Sequence, residues 1–478
     1  MIAFYIVSLL LIILIILRLS YLKVIASDEY YLKALELWTR DAPIEGRRGI
    51  IYDRKGRVIV GNKLAPTLVV IPKQITDKEM VSKALSKILK VNQDEIMIHL
   101  NKKVSVEIIK PSGRKISLEQ ATEISKLNIS GLYIVGDTVR DYPYGNYLAP
   151  VIGIVGSDGQ GLSGLEYQYD SYLKGPKGAI KVYVDAHGNL LEDISDDYLS
   201  AASGFDLYLT IDLDIQLMIE RLIDNVMLEY SPDEVIAIAA NPKTMEIYAM
   251  ASRPTFDPAN YQEYDSSLYN QNLPIFKTYE PGSVSKIVTF SAGLEENIFK
   301  LTDTYHDLGY RMVGGRRIKD WKAGGHGTET YLEVLQNSCN PGFMEIGLRL
   351  GKDKLIDYMK KFGYGSKTGI DLMGETTGIL FNPKNMGDVE TATTAFGQGI
   401  SVSAIQLVTA ACAAINGGNL LKPTVLKGLG ISNTNEIIYQ TTPQIVRKVI
   451  SDKTSKLVAS SLEHVVSLGQ GTLICIKN

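Results

Sequence analysis

Apolar residues dominate the first part of the chain. Ile2 to Leu17 contains a single serine, and the apolar pattern continues past Arg18 to Ile25. A membrane-spanning helix needs about 20 predominantly apolar residues, so the pattern predicts a transmembrane anchor over residues 1–25. No small-residue cleavage site follows it, and we therefore expect an uncleaved anchor rather than a removed signal peptide. A buried helix of a soluble domain is the alternative.

The pattern after the anchor is mixed, with helices and short strands. Residues 27–40 have a helical pattern, and two apolar runs around the charged turn at Gly56 predict a β-hairpin. Residues 76–127 have a helical pattern with lysine-rich faces, and residues 180–184 and 206–211 are strand-like. A boundary near Ser203 opens the last domain, so we expect an α+β multidomain chain.

Within the last domain, residues 215–227 have a helical pattern. Two strands are expected at 235–240 and 246–251, joined by a short turn. Further helical patterns cover the segments 287–294, 331–336, 343–350 and 405–415, the last of which ends in Asn416-Gly417-Gly418, a typical helix C-terminus.

Composition narrows the function classes. The chain has 478 residues, which suggests about three domains, and its net charge of −3 gives no reason to expect nucleic acid as a partner. Three cysteines cannot form a disulfide framework. The five histidines are scattered without a metal-ligand spacing, so we expect no metal site and no cofactor.

The first candidate site is Ser283-Val284-Ser285-Lys286, which follows Pro281-Gly282 and leads into an apolar helical run. Pro-Gly breaks the chain, so Ser283 is expected at a helix N-terminus, with Lys286 on the same helix face. A partly desolvated lysine has a lowered pKa and can remove the proton of a serine hydroxyl. Three further S-x-x-K matches, at Ser20, Ser112 and Ser171, lack this context.

The second candidate site is Ser338-Cys339-Asn340, 338 − 283 = 55 residues after Ser283. In an extended turn, residues i and i+2 project the same way, so hydroxyl and carboxamide could face one cleft. The hydroxyl can relay a proton, and the amide can both donate to and accept from a substrate peptide bond. An Asx or ST turn before Pro341 is the structural alternative.

Both motifs together make the chain resemble a class B penicillin-binding protein, a peptidoglycan D,D-transpeptidase of the elongation, division or stage V sporulation type. Further segments resemble that family in order along the chain: residues 48–56, 159–166, 251–258, Trp321 with His326-Gly327, and 396–403. The resemblance implies an anchor at 1–25, an elongated, mixed β-rich pedestal or dimerisation domain at 26–203, and a penicillin-binding, serine β-lactamase-like transpeptidase domain at 204–478.

The resemblance also implies roles. Ser283 would be the acylated nucleophile and Lys286 its base. Ser338 would relay protons, and Asn340 would hold the substrate backbone by hydrogen bonds. The substrate would be a peptidoglycan stem peptide ending in D-Ala-D-Ala, and β-lactams would acylate Ser283 as its mimics. A cell-membrane location with the catalytic domain outside, and a polymerase partner of the division or elongation machinery, are implied as well. Arg18, Lys23 and Lys33 follow the span, and the positive-inside rule alone favours the opposite orientation.

The family carries a third motif, K-T-G, on a strand beside the nucleophile. Lys367-Thr368-Gly369 matches it, but its glycine-rich surroundings predict a turn between helices. Residues 463–472 resemble the approach to the expected strand, and 473–478 do not resemble its continuation. We therefore expect a domain truncated before K-T-G that lacks its last strands. The alternatives are an inactive membrane-anchored scaffold of the cell-wall synthesis machinery and, less favoured, a penicillin-sensing or penicillin-hydrolysing domain.

Overall fold

The computed structural model describes residues 2–27, 30, 33, 39–44, 46–104, 106–176, 178–183, 197–199, 203–434 and 436–467. It divides into two compact units. The smaller unit comprises Met1–Arg48, Asn62–Val139 and Lys174–Gly204, and the larger one comprises Gly49–Gly61, Arg140–Leu173 and Phe205–Asn478. The chain end at 468–478, on which the expected truncation depends, lies outside the described residues.

The N-terminal segment is helical. An α-helix covers Ile2–Ser20 and continues as a π-helical turn over Tyr21–Ile25. In the part of the chain that is described, no helix combines the length and the apolar character that a membrane crossing requires. The helix expected over 27–40 falls largely on residues outside the description, and its last two positions belong instead to the strand Thr39–Ile44.

The smaller unit contains two three-stranded antiparallel sheets. One has the order Glu107–Ile108, Thr67–Val70, Leu132–Val135, and the other has the order Thr39–Ile44, Gly178–Tyr183, Asp197–Leu199. Three helices accompany the first sheet, at Lys78–Leu89, Gln93–Leu100 and Leu118–Lys126. Polar side chains cap all three helix N-termini, because the first N–H groups of a helix lack partners within it. Leu68, Leu85 and Ile96 are fully buried in the core between sheet and helices.

The larger unit is built on one main sheet and one hairpin. Five strands of the main sheet are neighbours in the order Ile437–Gln440, Leu426–Gly430, Asp206–Leu209, Ile51–Tyr52, Val58–Leu64. The hairpin expected around Gly56 is therefore present. Asp53 fixes its turn, since its carboxylate accepts hydrogen bonds from the backbone N–H of Lys55 and of Arg57, each at 2.8 Å.

The expected hairpin at 235–251 is also present, as the antiparallel pair Val235–Ala240 and Ile247–Arg253, which forms a two-stranded sheet within the described residues. Helix Leu213–Tyr230 packs on it, begun by an N-cap at Asp212. Gln216 ties the two together, because its amide accepts from the Met250 N–H at 2.9 Å and donates to the Met250 carbonyl at 3.0 Å.

Helix Lys286–Glu295 lies at the centre of the larger unit. Its neighbours are the helices Asn340–Leu350, Lys352–Lys361, Ala404–Ile415 and Asp452–Ser467. Phe290 on this helix is fully buried and its ring lies 6.3 Å from that of Phe343. Burial of such side chains contributes about 1.5–3 kcal/mol each, so the position of this helix is strongly determined.

The remaining helices of the described residues are Ala149–Ile152, Gly164–Gln168, Asp170–Leu173, Ser266–Asn270, Leu273–Phe276, Tyr331–Gln336 and Asp388–Ala395, with 3-10 turns at Tyr261–Glu263, Gly282–Ser285 and Pro383–Asn385. The remaining strands are Thr138–Asp141, Thr278–Tyr279, Thr304–Asp307, Tyr310–Val313, Arg316–Lys319, Gly327–Thr330, Val402–Ser403, Asn419–Leu421 and Ile445–Lys448.

Candidate active site

Ser283 lies in the 3-10 turn Gly282–Ser285, which leads directly into helix Lys286–Glu295. Gly282 has a φ of +55°, a conformation that glycine adopts without the cost a side chain would bring. The Ser283 side chain is exposed, whereas Ser285 and Lys286 are buried. The sequence-based placement of Ser283 at a helix N-terminus thus agrees with the structure.

The segment 397–403 holds the turn that carries Ser283. The Gly282 N–H donates to the Gly397 carbonyl at 3.0 Å, and Tyr279 pairs with Val402 in a short antiparallel ladder. Gly397 has a φ of +87°, and a Cβ on it would lie 2.0 Å from the Gly282 carbonyl oxygen. Only glycine therefore fits at 397 without a displacement of the turn next to Ser283.

Lys286 is the centre of the site. The residue is only 2% exposed, and its Nζ contacts three oxygen acceptors. These are the Ser338 carbonyl at 2.7 Å, Ser338 Oγ at 2.9 Å and Asn340 Oδ1 at 2.7 Å. The structure therefore joins Lys286 to both polar residues of the S-x-N motif, in agreement with the prediction from the sequence.

Burial lowers the pKa of Lys286 to about 8, although the negative charge of Asp320 acts in the opposite direction. Desolvation disfavours the charged form of a lysine, so about a tenth of the amine is neutral at pH 7, far more than for a lysine in water. The contact with Ser338 suits both forms, because a hydroxyl can accept from an ammonium or donate to an amine. The site can thus hold a proton acceptor next to a hydroxyl relay.

The S-x-N turn differs in one respect from the expectation. Ser338 has a φ of +52°, a left-handed conformation, whereas an extended turn was expected. It follows helix Tyr331–Gln336, and such a residue commonly ends a helix. Hydroxyl and carboxamide still meet at Lys286, because Asn340 begins the next helix, Asn340–Leu350, immediately afterwards.

Three further residues lie behind the S-x-N turn, and the sequence pattern does not indicate them as site residues. Asp320 Oδ1 accepts a hydrogen bond from the Asn340 N–H at 2.9 Å. His326 Nε2 lies 3.1 Å from Asp320 Oδ2, and Asp307 Oδ2 accepts from the His326 N–H at 2.9 Å. The three residues are brought together by the fold.

The K-T-G match at Lys367-Thr368-Gly369 lies in a turn, as expected, and Lys367 is exposed. Glu375 fixes this turn, since its carboxylate accepts from the Thr368 N–H at 2.5 Å and from the Gly369 N–H at 3.0 Å. Thr368 and Gly369 therefore form part of this turn and do not lie on a strand beside Ser283.

The other S-x-x-K matches have no comparable environment. Ser112 donates to Glu95 at 2.9 Å, and none of Lys23, Lys115 and Lys174 is buried.

Two family profiles match the chain. The profile "Penicillin binding protein transpeptidase domain" matches residues 235–474, and "Penicillin-binding Protein dimerisation domain" matches residues 43–209. The chain is 48% identical over 455 residues to Stage V sporulation protein D of Bacillus subtilis, an alignment that covers 95% of this chain and 70% of that protein. It is 29% identical over 395 residues to the peptidoglycan D,D-transpeptidase FtsI of Escherichia coli, covering 82% of this chain and 66% of FtsI.

Solved structures agree in fold. Penicillin Binding Protein 2X from Streptococcus thermophilus superposes with a TM-score of 0.69 at 24% identity, covering 88% of this chain and 66% of that one. A peptidoglycan synthetase from Bifidobacterium adolescentis gives a TM-score of 0.70 at 22% identity, covering 90% and 82%. The chain therefore belongs to the class B penicillin-binding proteins, the peptidoglycan D,D-transpeptidase family, and has their two-domain α+β fold with a transpeptidase domain.

Proposed function

We propose that the chain cross-links peptidoglycan stem peptides through an acyl-enzyme on Ser283. The observation that carries this proposal is the environment of Lys286, a buried amine with a lowered pKa that contacts Ser338 and Asn340 and lies one helical turn after an exposed serine. An exposed serine one helical turn before a buried amine of lowered pKa is an arrangement that acyl transfer can use.

In the first half of the reaction, Ser283 Oγ attacks the carbonyl carbon between the two terminal D-alanines. Neutral Lys286 accepts the hydroxyl proton, and the Ser338 hydroxyl relays it from the Lys286 ammonium to the departing amine, so that both groups regain their starting forms. The C–N bond breaks, D-alanine leaves, and an ester to Ser283 remains. The backbone N–H of Ser283 supports the developing oxyanion, since it belongs to the first turn before a helix.

In the second half, the amine of a neighbouring stem peptide attacks the ester carbonyl carbon. Its proton passes to the amine of Lys286 through Ser338, a new peptide bond forms, and Ser283 regains its hydroxyl proton. Asn340 orients the substrate backbone, because its carboxamide has donors as well as the oxygen that contacts Lys286. A β-lactam acylates Ser283 by the first half alone, through opening of its ring.

The N-terminal segment supports a membrane location. Large apolar side chains along helix Ile2–Ser20 are exposed, among them Phe4, Leu11 and Leu14, and water is an unfavourable surrounding for such a surface. We infer that residues 1–25 anchor the chain by a single pass, with the catalytic domain outside the cell, where peptidoglycan lies. A polymerase of the division, elongation or sporulation machinery is the proposed partner, and the division of the chain at residues 25 and 203 stays a prediction.

A labelled penicillin tests the proposal. The purified full chain is incubated with fluorescent penicillin, denatured and separated by electrophoresis, alongside Ser283→Ala and the control Ser171→Ala, a serine of another S-x-x-K match. We expect a covalent band for wild type and for Ser171→Ala and none for Ser283→Ala. An unlabelled wild-type chain that folds normally would favour the scaffold alternative, and release of hydrolysed antibiotic instead of a lasting band would favour the penicillin-hydrolysing one.

A further inference from the structure

The hairpin of strands Tyr310–Val313 and Arg316–Lys319, which we call the basic ribbon, concentrates positive charge. Residues 310–322 include five lysine and arginine residues and a single acidic residue, in a chain whose net charge is −3. Four of the five cations are exposed: Arg316, Arg317, Lys319 and Lys322. The positive charge is therefore a local feature and does not follow from the composition of the chain.

The pairing of the two strands decides which side chains share a face. Tyr310 lies opposite Lys319, and Met312 lies opposite Arg317. Opposed residues and alternate residues of one strand lie on the same face, so these four side chains share one face of the basic ribbon. Val313 belongs to the other face and is buried in the core. The face with the four side chains is therefore the outer one, and Met312 is 57% exposed on it.

Positive charge on the inner face already has acidic partners. Arg311 forms an ion pair with Glu345 at 2.5 Å. The pKa of Glu390 is lowered by hydrogen bonds from backbone N–H groups and, to a smaller extent, by the positive charge of Arg316. The cations of the inner face are therefore balanced within the protein.

The two cations of the outer face have no such partner. Neither Arg317 nor Lys319 forms an ion pair or a side-chain hydrogen bond with any residue that the structure describes. The guanidinium of Arg317 instead lies over the ring of Tyr310, 3.8 Å from its centroid, a cation–π contact that restrains it. A stacked guanidinium keeps its N–H groups available at its edge, where a carboxylate can accept from two of them. The outer face is thus prepared for an anionic ligand.

The basic ribbon continues directly into the residues that hold the S-x-N turn. Its second strand ends at Lys319, and the next residue is Asp320, whose carboxylate accepts from the Asn340 N–H at 2.9 Å. Trp321 follows, and its Nε1 donates to the Asn337 carbonyl at 3.0 Å. The cations of the outer face therefore lie one and three residues before a residue in contact with this turn.

We propose that the outer face of the basic ribbon binds free carboxylates of the stem peptide whose acyl group is transferred to Ser283. This inference rests on the proposed function. Stem peptides carry free carboxylates on residues that precede the two terminal D-alanines. An extended peptide spans at most about 3.3–3.6 Å per residue, so carboxylates two or three residues from the attacked bond lie about 7–11 Å from it. Arg317 and Lys319 thereby distinguish an acidic stem from an amidated one.

A phosphate polymer would also suit a basic surface, but two observations favour the stem peptide. The basic ribbon leads into the S-x-N turn, where a stem peptide has to lie for its acyl group to react. In addition, the outer face places the apolar side chain of Met312 and the ring of Tyr310 beside the two cations. Such a mixed surface suits the aliphatic and acidic groups of a peptide better than a chain of phosphates.

The binding of two synthetic peptides tests the proposal. One is fluorescent L-Ala-γ-D-Glu-meso-diaminopimelate-D-Ala-D-Ala, and in the other the free carboxylates of the second and third residues are carboxamides. Fluorescence anisotropy is measured with the full chain carrying Ser283→Ala, so that no acyl transfer takes place. We expect the peptide with free carboxylates to bind about tenfold more tightly, and this preference to shrink at high salt, because salt screens exposed charges.

Arg317→Ala with Lys319→Ala, added to this chain, is expected to bind both peptides equally weakly. The control, Lys243→Ala with Lys453→Ala, removes two exposed lysines and should keep the tenfold preference. Both control lysines are close to residues that contact the C-terminal end of helix Ala404–Ile415, about 18 Å from its beginning beside the Ser283 turn. Circular dichroism checks the folding of each variant, and the peptide preference and its salt dependence need no ribbon variant.

Equal affinity of the unaltered basic ribbon for the two peptides would overturn the proposal. Tight binding of polyphosphate that is lost in the ribbon variant would then assign the surface to a phosphate polymer. Penicillin labelling of the wild-type chain tests the acyl-enzyme separately. A preference for free carboxylates without penicillin labelling would keep the carboxylate site and reject the proposed function, and labelling without the preference would do the reverse.

Discussion

The chemistry proposed for this site depends on the burial of one amine, that of Lys286. Lys286 is almost completely buried, which lowers its pKa to about 8, and it is still close enough to Ser338 for a hydrogen bond of 2.9 Å. A lysine on the surface would be protonated at neutral pH and could not accept a proton. The burial follows from helix Lys286–Glu295 at the centre of the helical cluster.

This burial predicts a pH dependence. In the proposed mechanism neutral Lys286 is the base, so the rate constant of penicillin acylation is expected to rise about tenfold per pH unit below pH 8 and to level off above it. Stopped-flow mixing with a chromogenic β-lactam measures the profile. A rate that falls as pH rises from 6 to 8 would show that the protonated form is the active one.

The lowered pKa of Lys286 also makes the free energy of unfolding depend on pH. The unfolded chain binds the proton of Lys286 up to a pKa near 10.4, whereas the folded chain loses it at about 8. Between these values the unfolded state holds more protons, so this group makes the folded state more stable as pH rises through that window. Its effect does not change with pH below the folded pKa, where both states are protonated.

Asn340→Asp tests the contact with the lysine. Asn340 Oδ1 lies 2.7 Å from Lys286 Nζ, so a carboxylate there would favour the ammonium and raise the pKa of Lys286. The rise of the acylation rate is expected to move to higher pH, with a rate at pH 7 lowered by about tenfold or more. The control is the exposed Asn297→Asp, for which the profile should stay in place. An unshifted profile in Asn340→Asp contradicts the charge coupling.

For single residues, the sequence predicts which residues form the site better than it predicts their backbone conformations. Ser283 and Lys286 follow from the Pro-Gly break and the helical spacing, and both lie where that reasoning places them. The sequence does not predict the left-handed conformation of Ser338, because the chain turn between two helices depends on how those helices pack. Asp320 is not indicated by the sequence, since its contact with Asn340 joins residues 20 positions apart, with strand Gly327–Thr330 and helix Tyr331–Gln336 between them.

Among the elements, the turn before Ser283 depends on a close backbone approach. Gly397 and Gly374 both have a φ of +87°, but a Cβ at 397 would lie 2.0 Å from the Gly282 carbonyl, whereas one at 374 would meet nothing within 4 Å. Alanine at either position costs about 1–2 kcal/mol for its left-handed conformation. The two substitutions therefore differ chiefly in the clash.

Gly397→Ala is expected to displace the Ser283 turn and to slow penicillin acylation by about 10²-fold, because such rates are sensitive to misplacements of about 1 Å. Gly374→Ala should lose stability in urea denaturation and keep the wild-type acylation rate. Equal acylation rates in the two variants would mean that the contact between Gly282 and Gly397 has no part in placing the nucleophile.

The spacing of apolar residues predicts helices and strands correctly where its period is clear. The helix expected at 215–227 is present as Leu213–Tyr230, and the hairpin at 235–251 has the expected strands. The pattern fails at 76–127, which contains three separate helices and the strand Glu107–Ile108. Short strands of this kind carry little periodic signal, and their position is decided by pairing with distant strands such as Thr67–Val70.

At the scale of the whole molecule, the chain passes between two compact units more than once. Gly49–Gly61 and Arg140–Leu173 belong to the larger unit, although both lie between segments of the smaller one. No local pattern predicts this exchange, because it depends on which strands pair over long distances. In the larger unit, Asp206 links its own strand to the first hairpin, since its carboxylate accepts from the Ile50 N–H at 2.7 Å.

The proposed membrane anchor gives a prediction for the whole chain. Leu11 and Leu14 are 56% and 66% exposed on helix Ile2–Ser20, and arginine in the middle of a span costs about 2.5–3.5 kcal/mol on insertion scales. Leu11→Arg with Leu14→Arg is expected to move the chain from the membrane pellet to the supernatant after carbonate extraction. The control, Leu64→Arg with Leu118→Arg, changes two exposed leucines outside the helix and should stay in the pellet. Retention of the first variant in the pellet would contradict anchoring by this helix.

The central claim is that the hydroxyl of Ser283 becomes acylated. The most direct test is peptide mapping of the wild-type chain after brief exposure to penicillin, followed by trypsin and tandem mass spectrometry of peptide 278–286, which carries both Ser283 and Ser285. The account predicts that the mass of one opened penicillin lies on Ser283 and that fragment ions exclude the buried Ser285. An adduct on any other residue, or a folded chain without one, would contradict it.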